Sequence, residues 1–481
     1  MLHRNTASRI SFSKLLPKAL GFMLCATFLA TSAMAGNDDR LNVLLIVIDD
    51  LRPELHNYDV EAVESPNIDA LAERGVRFNN AYCQYPVCNP SRSSFLTGKR
   101  PDELGIYTNN EPLRRVHPDL VTLPQAFRDA GYYTVGLGKL FHQGLDENGK
   151  KTLFRDDVSF EHSYRALGRS PKIGNQGEGR FAGDGSIPWC RWLAAEGGDS
   201  AQPDGMLAEE ALRVLQEPRD KPFFISVGFH KPHDPFVAPR EYFEPYRVSD
   251  VELPKAPRDR TPLSRYALPR SYDFSIFTNR DRREIKRAYH ACVSFVDAQV
   301  GKLMRCLDQQ NLWDNTVVIV MGDHGYHLGE HGWWNKVTIF ELGARTPLIV
   351  WAPGTDGMGS ESDHIVELLD LYPTLIDLCG IAPPHRLSGK SLRANLDRTD
   401  DAGLRKPAFT QVTRGGVRMG YSVRTDRYRF TQWGRGGEGG TELYEHPDDP
   451  NEYKNLSGDP AYRSLEKKLT NLLRTGFPSL N

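Results

Sequence analysis

Cys88-Asn89-Pro90-Ser91-Arg92, followed after four residues by Thr97-Gly98, places a thiol where chemistry is available. Pro90 is suited to the first helical position. Cys88 then sits at a helix N-terminus, where backbone N–H groups and the dipole favour an anion. Arg92 adds a fixed positive charge nearby, and such surroundings make a thiol a reactive thiolate. Taken alone, a free cysteine before a helix is most often a small buried residue. Other groups share its character. Asp49-Asp50 and Asp323 offer hard carboxylate oxygens, which suit Ca²⁺ or Mg²⁺. Lys139, His142 and His230 could bind an anion or move a proton.

The elements that must position these residues are legible. Asn42–Ile48 is a continuous apolar, β-branched run that ends at Asp49-Asp50, as a strand buried on both faces of a parallel sheet would. Tyr132–Gly136, Phe223–Val227 and Thr316–Met321 are further strands. They end at Gly138-Lys139, Gly228-Phe229-His230 and Gly322-Asp323-His324-Gly325. Between them, Asn67–Arg74 stops at Gly75, Leu123–Ala130 follows Thr122, and Arg282–Leu307 repeats apolar residues at helical spacing. The alternation predicts an α/β fold, a large mostly parallel mixed sheet flanked by helices. In open α/β sheets ligands bind beyond the carboxyl ends of the strands. One polar residue there is commonly a cap or a turn; four on one rim point to a site.

Past residue 385 the texture changes to short strands, Ala408–Val412, Gly420–Arg424, Tyr428–Trp433 and Leu443–Tyr444, then a helix over Pro460–Arg474. This reads as a small α+β subdomain spanning 386–481, after a catalytic domain at 36–385. Gln143–Pro203 and the proline-rich Leu253–Ser275 read as loop excursions.

Residues 1–35 read as a secretory signal peptide. A basic start precedes a short apolar run, Ala19–Thr31, and an Ala33-Met34-Ala35 cleavage pattern. The expected protein is exported, periplasmic or secreted, without a transmembrane anchor. Seven cysteines leave six after Cys25, with spacing that predicts few or no disulfides. Lys and Arg total 60 against 62 Asp and Glu, a net charge of −2. That balance excludes a broad basic face for nucleic acid.

The Cys88-x-Pro90-Ser91-Arg92 motif with Thr97-Gly98 resembles the signature of type I sulfatases, in which the cysteine is oxidised to formylglycine. Four specified positions recur by chance about once in 160,000 windows. Gly138-Lys139-x-Phe141-His142, Phe229-His230-Lys231-Pro232-His233 and Leu328-Gly329-Glu330-His331-Gly332 look most like the iduronate 2-sulfatase branch. The resemblance implies an alkaline-phosphatase-like sulfatase fold and a calcium-dependent sulfuric ester hydrolase. It would remove O-sulfate from a sulfated oligosaccharide or polysaccharide, exo-acting and iduronate 2-sulfatase-like, after a formylglycine-generating maturation enzyme has acted on Cys88.

By the same resemblance Asp49, Asp50, Asp323 and His324 hold Ca²⁺ rather than Mg²⁺, with the modified Cys88 completing the shell. Arg92 and Lys139 clamp the nucleophile and the sulfate, His142 serves as base, and His230 and Lys336 hold sulfate and protonate the leaving oxygen. His233, His327 and His331 read as pocket-wall or structural residues. The three carboxylates are expected to lie uncompensated without metal. Three alternatives share the pattern: a phosphate or phosphonate monoester hydrolase of the same superfamily, a non-catalytic glycan-binding relative, and an unmodified, inactive enzyme in a host that lacks the maturation system.

Overall fold

A computed structural model describes residues 40–145, 150–166, 176–398, 406–415 and 418–481, so the proposed leader at 1–35 lies outside the described residues. Its centre is an eight-stranded sheet. The strands are β1 (Asn42–Ile48), β2 (Val76–Tyr82), β3 (Tyr133–Gly138), β4 (His162–Tyr164), β5 (Phe223–Phe229), β6 (Thr316–Gly322), β7 (Arg345–Trp351) and β8 (Ser360–Glu367). They lie in the order β8-β2-β7-β6-β1-β5-β3-β4. Only β7 runs against its neighbours, β6 and β2. The four apolar runs are its middle, and every residue of β1, β5 and β6 is buried. Two apolar layers cover the faces. One gathers Leu44, Ile46 and Ile48 with the helix α4 defined below; the other gathers Val43, Leu45 and Val47 with Phe95 and Tyr372.

Helices fill those layers. Among them are α1 (Pro66–Arg74), α2 (Cys88–Thr97), α3 (Pro203–Gln216) and the 31-residue α4 (Asn279–Gln309). Thr278 and Asp281 form a reciprocal capping box that starts α4. Among the described residues no helix is long and apolar enough to cross a membrane. All six cysteines after Cys25 are buried and free.

The segment expected to be loop between Gln143 and Pro203 carries strands instead. Gly177–Phe181 and Arg191–Ala195 pair antiparallel, and Phe236–Pro239 adds parallel to the second. Their Gly and Arg content hid them, because the tightest pairings need glycine. A Cβ at Gly179 would lie 2.2 Å from the Trp192 carbonyl oxygen.

Four antiparallel strands follow, β9 (Ala408–Arg414), β10 (Arg418–Arg424), β11 (Tyr428–Trp433) and β12 (Thr441–Glu445), and then the helix α5 (Arg463–Gly476). Leu469, Leu473 and Phe477 pack on Phe409, Val423 and Phe430. A buried ionic clamp ties this sheet to the segment after β6. Arg429 donates 2.6 Å bonds to both Glu341 and Glu452, and Glu452 also accepts from the Glu341 backbone N–H. Nearby, the His331 ring stacks on Phe340 at 4.2 Å, and its Nε2 is 2.9 Å from the Asn451 carbonyl.

Candidate functional site

Register puts the polar ends of four adjacent strands on one rim. Ile48 pairs with Gly322 on one side and Phe229 on the other, and Gly138 pairs with Gly228. Asp49-Asp50, Asp323-His324, His230 and Lys139 therefore leave the sheet at one level. Two glycines permit the tightest turn there. Gly138 has φ +72°, and a Cβ on Gly228 would lie 2.2 Å from the Lys139 carbonyl carbon and oxygen.

Cys88 enters from α2, whose N-cap is Val87; the first helical hydrogen bond runs from Ser91 N–H to Val87 C=O. Pro90 is thus the third helical residue rather than the first, and Cys88 lies in the first turn. Its buried Sγ is 3.1 Å from Lys336 Nζ and 3.4 Å from His324 Nε2. Arg92, one turn on, donates to Asp323 Oδ2 at 2.9 Å and Asp49 Oδ1 at 3.1 Å, and also to the Lys139 carbonyl. Lys139 pairs with Asp49 and Lys336 with Asp50. The carboxylates are consequently not uncompensated: Arg92, Lys139 and Lys336 lie against them.

These contacts set the protonation states. Burial would raise the Asp49 carboxyl, but Lys139, His233 and Arg92 hold it well below the usual carboxylate range. Asp50 goes the other way, pushed by burial to about 7 against the pull of Lys336. Burial and Asp49 raise the Cys88 thiol, yet Lys139 and Lys336 outweigh them and leave it below its ordinary value. Burial lowers His324, but Asp323 and the Cys88 sulfur bring it up to about 9. Burial and then Lys139 take His142 down to about 3, and its Nδ1 is buried without a partner. His230 is lowered well below its ordinary value by desolvation, then Lys231 and Lys139; its Nδ1 is 3.6 Å from Asp49.

The residues fit a hard cation. Ligand atoms of Asp49, Cys88, Asp323 and His324 lie within 4.8 Å of one another, as do those of Asp49, Asp50, Cys88 and His233. Asp50 Oδ2 is buried with no hydrogen-bond partner, an acceptor facing this cluster. Every residue given a catalytic or metal-binding role from the sequence reaches this neighbourhood. His327 and His331 stand apart, bonded to Thr338 and Asn451.

Two participants were missed. His233 was read as wall, yet its Nε2 lies 4.0 Å from Asp49 and 3.9 Å from Asp50. Tyr289 falls within the apolar helical repeat of Arg282–Leu307, but its hydroxyl donates to the Asp50 carbonyl at 2.8 Å and accepts from Arg52 N–H. That bond supports the left-handed Asp50 backbone, at φ +63°. The His-x-x-His spacing was a visible signal for the first; a tyrosine hydroxyl at a core position gives none.

Comparison with known proteins agrees with this geometry. The family profile named Sulfatase matches residues 41–381, and the N-sulphoglucosamine sulphohydrolase C-terminal profile matches 329–476. The chain is 33% identical to iduronate 2-sulfatase of Mus musculus, over 84% of this chain and 86% of that protein. Among solved structures, a phosphonate monoester hydrolase from Silicibacter pomeroyi superposes with a TM-score of 0.78 at 22% identity, covering 92% of this chain and 96% of that one. A 2-O GAG sulfatase superposes with a TM-score of 0.67 at 24% identity, over 92% of each chain. These last two share the alkaline-phosphatase-like fold. With the Sulfatase profile spanning the very segments that converge on this rim, the chain belongs to the sulfatase family.

Proposed function

We propose that the protein hydrolyses an O-sulfate ester on a saccharide, exo-acting and iduronate 2-sulfatase-like, with Cys88 converted to formylglycine and Ca²⁺ at the rim. The observation that carries this reading is the position of Cys88. Its sulfur is buried in the first turn of α2, touches Lys336, and lies within ligand reach of Asp49, Asp323 and His324. The similarity to iduronate 2-sulfatase supports the substrate class.

Asp49, Asp50, Asp323 and His324 would hold the cation, whose chemistry is to lower the pKa of an attacking hydroxyl. Formylglycine would supply, in its hydrate, two hydroxyls on one carbon, one to attack sulfur and one to let sulfate go; a plain thiol offers neither. The chain's own residues do the rest. Arg92, fixed between Asp49 and Asp323, and Lys139, fixed on Asp49, hold positive charge where the anionic ester must sit. Lys336 approaches the same point from the segment after β6. His142, kept neutral at pH 7 by burial and Lys139, would act as base once the anionic ester offsets the cations beside it. His230 and Lys336 would hold the sulfate and protonate the departing sugar oxygen.

The proposed leader would export the chain, and a maturation enzyme would act on Cys88. The test has two readouts on the full chain. One is the mass of the tryptic peptide that spans Cys88, which reports thiol or aldehyde. The other is sulfate release from sulfated disaccharides beside phosphate release from an aryl phosphate. An aldehyde with sulfate release supports the proposal; an unmodified thiol in an active enzyme, or preference for the phosphate ester, rejects it.

A further inference from the structure

Beside the ester site lies a cavity of about 240 Å³ that shares Lys139 and His230 with it. The first turn of α3 forms one wall, so the positive end of a fourteen-residue helix faces the space. The N-cap residue, Gln202, is only 3% exposed, and its Nε2 has no hydrogen-bond partner. An unpaired buried donor costs stability unless a ligand satisfies it.

The charges around the cavity are mostly positive, Lys139, Arg165 and Lys231 against Asp204 alone. Lys231 spends its Nζ on two carbonyls, those of His233 at 2.8 Å and Pro235 at 2.6 Å, and has no ion-pair partner among the described residues. Arg165 is exposed at the rim, also without an ion pair among the described residues. Asp204 is the one acidic side chain in the wall, and its oxygens accept the His230 and Lys231 backbone N–H groups at 2.9 and 2.8 Å. Phe154 supplies an aromatic face at φ +66°, a backbone conformation a bulky residue rarely adopts. Its ring lies 5.6 Å from Lys139 Nζ and 6.2 Å from the His230 ring.

A buried amide donor, a helix N-terminus, two cations without carboxylate partners and an aromatic face together suit an acidic sugar. We propose that this cavity is a second oxyanion subsite. It takes an acidic group, carboxylate or sulfate, of the saccharide whose ester lies at Cys88; the inference rests on the saccharide sulfatase reading and narrows it to substrates with a second negative charge.

Calorimetry on the full chain tests this without turnover. The ligands are an unsulfated disaccharide ending in a uronic acid, its carboxyl-reduced counterpart, and that counterpart bearing one sulfate. The acidic forms should bind at least about tenfold tighter than the neutral one, the usual worth of a charge-assisted hydrogen bond. Arg165→Ala and Gln202→Leu should bring the ratio of acidic to neutral affinity toward one. Gln202→Leu removes an unpaired donor, so the free variant should melt no lower than wild type. Preference for the carboxylate or for the sulfate identifies which acidic group the subsite takes. Equal affinity for all three ligands, or an unchanged ratio in Arg165→Ala, overturns the subsite. Failure of the wild type to release sulfate in the separate turnover assay counts instead against the sulfatase reading and leaves these affinities interpretable.

Discussion

Replacing Lys336 by alanine isolates the electrostatics of the rim. Lys336 is the ion-pair lysine of Asp50, and both are buried. Even with Lys336 present, burial pushes the Asp50 carboxyl to about 7, so the pair is finely balanced. Removing one partner of a buried pair costs at most about 3–5 kcal/mol, the full figure applying only while the stranded carboxylate stays ionised rather than taking up a proton. Unfolding entropy scales to about 1 kcal/mol/K for a chain of this length, so the loss amounts to at most about 3–5 °C in Tm. A cation on Asp50 would do the lysine's work. The expected result is therefore conditional: Lys336→Ala melts below wild type in chelator, by at most about 3–5 °C, and Ca²⁺ recovers most of the difference. In the wild type, where Lys336 and the metal compete for the same oxygens, Ca²⁺ raises Tm less. Lys336→Ala/Asp50→Asn, which removes the stranded charge as well, should regain stability in chelator and lose the extra response to Ca²⁺. The assay is thermal unfolding of the three proteins in chelator and in calcium. An identical deficit with and without Ca²⁺, or no recovery in the double variant, would refute the reasoning.

Cys88→Ala should abolish sulfate release and lower Tm by a degree or two, since the start of α2 rests on Val87 and Ser91 backbone groups rather than on the thiol; circular dichroism and turnover report the two separately. His230→Ala should lose about 10²–10⁴ in kcat/KM on sugar sulfates and far less on 4-nitrophenyl sulfate, whose phenol leaves unaided; equal losses on both would remove His230 from the proton-donor role. Acid should destabilise the fold through the buried group of Arg52, Glu54, Glu330 and His290. Burial would raise Glu54 and Glu330, but Arg52 holds both below the ordinary glutamate value, so their stabilisation is complete above about pH 4.5 and is lost as pH falls further. His290, lowered chiefly by burial, adds a loss in the same direction below about pH 6.5. A Glu54→Gln variant should show a shallower fall of Tm with acid in a melting series carried from pH 5 down to pH 2, below the ordinary glutamate value; a parallel curve would count against the assignment.

The sequence was readable where one physical requirement dominated. β1, β5 and β6 are covered on both faces, so each is an unbroken apolar run whose end marks the rim. β2, β7 and β8 escaped because they satisfy mixed demands. β8 alternates exposed and half-buried residues along its first half as an edge strand, and Pro347 inside β7, where the pairing register shifts, argues against a strand. The site residues were legible as types at strand ends, and their convergence followed from parallel topology. The pairing of each carboxylate with a particular cation was not, since it depends on side-chain reach across loops some 40 to 290 residues apart. Nor was the Gln202 donor, a polar residue before a helix that nothing in a sequence distinguishes from a solvated cap.

The ionic clamp has a consequence for the order in which the enzyme is made. Lys336 lies on a segment whose end, Glu341, is fastened by Arg429 and Glu452, 88 and 111 residues further along the chain. A chain that has emerged only a little past Glu341 already ties Lys336 through its ion pair with Asp50 and through Val337 N–H on the Pro86 carbonyl, but it lacks the clamp at the end of that segment. The far end of the segment that carries Lys336 is therefore secured in full only when the C-terminal sheet docks on it.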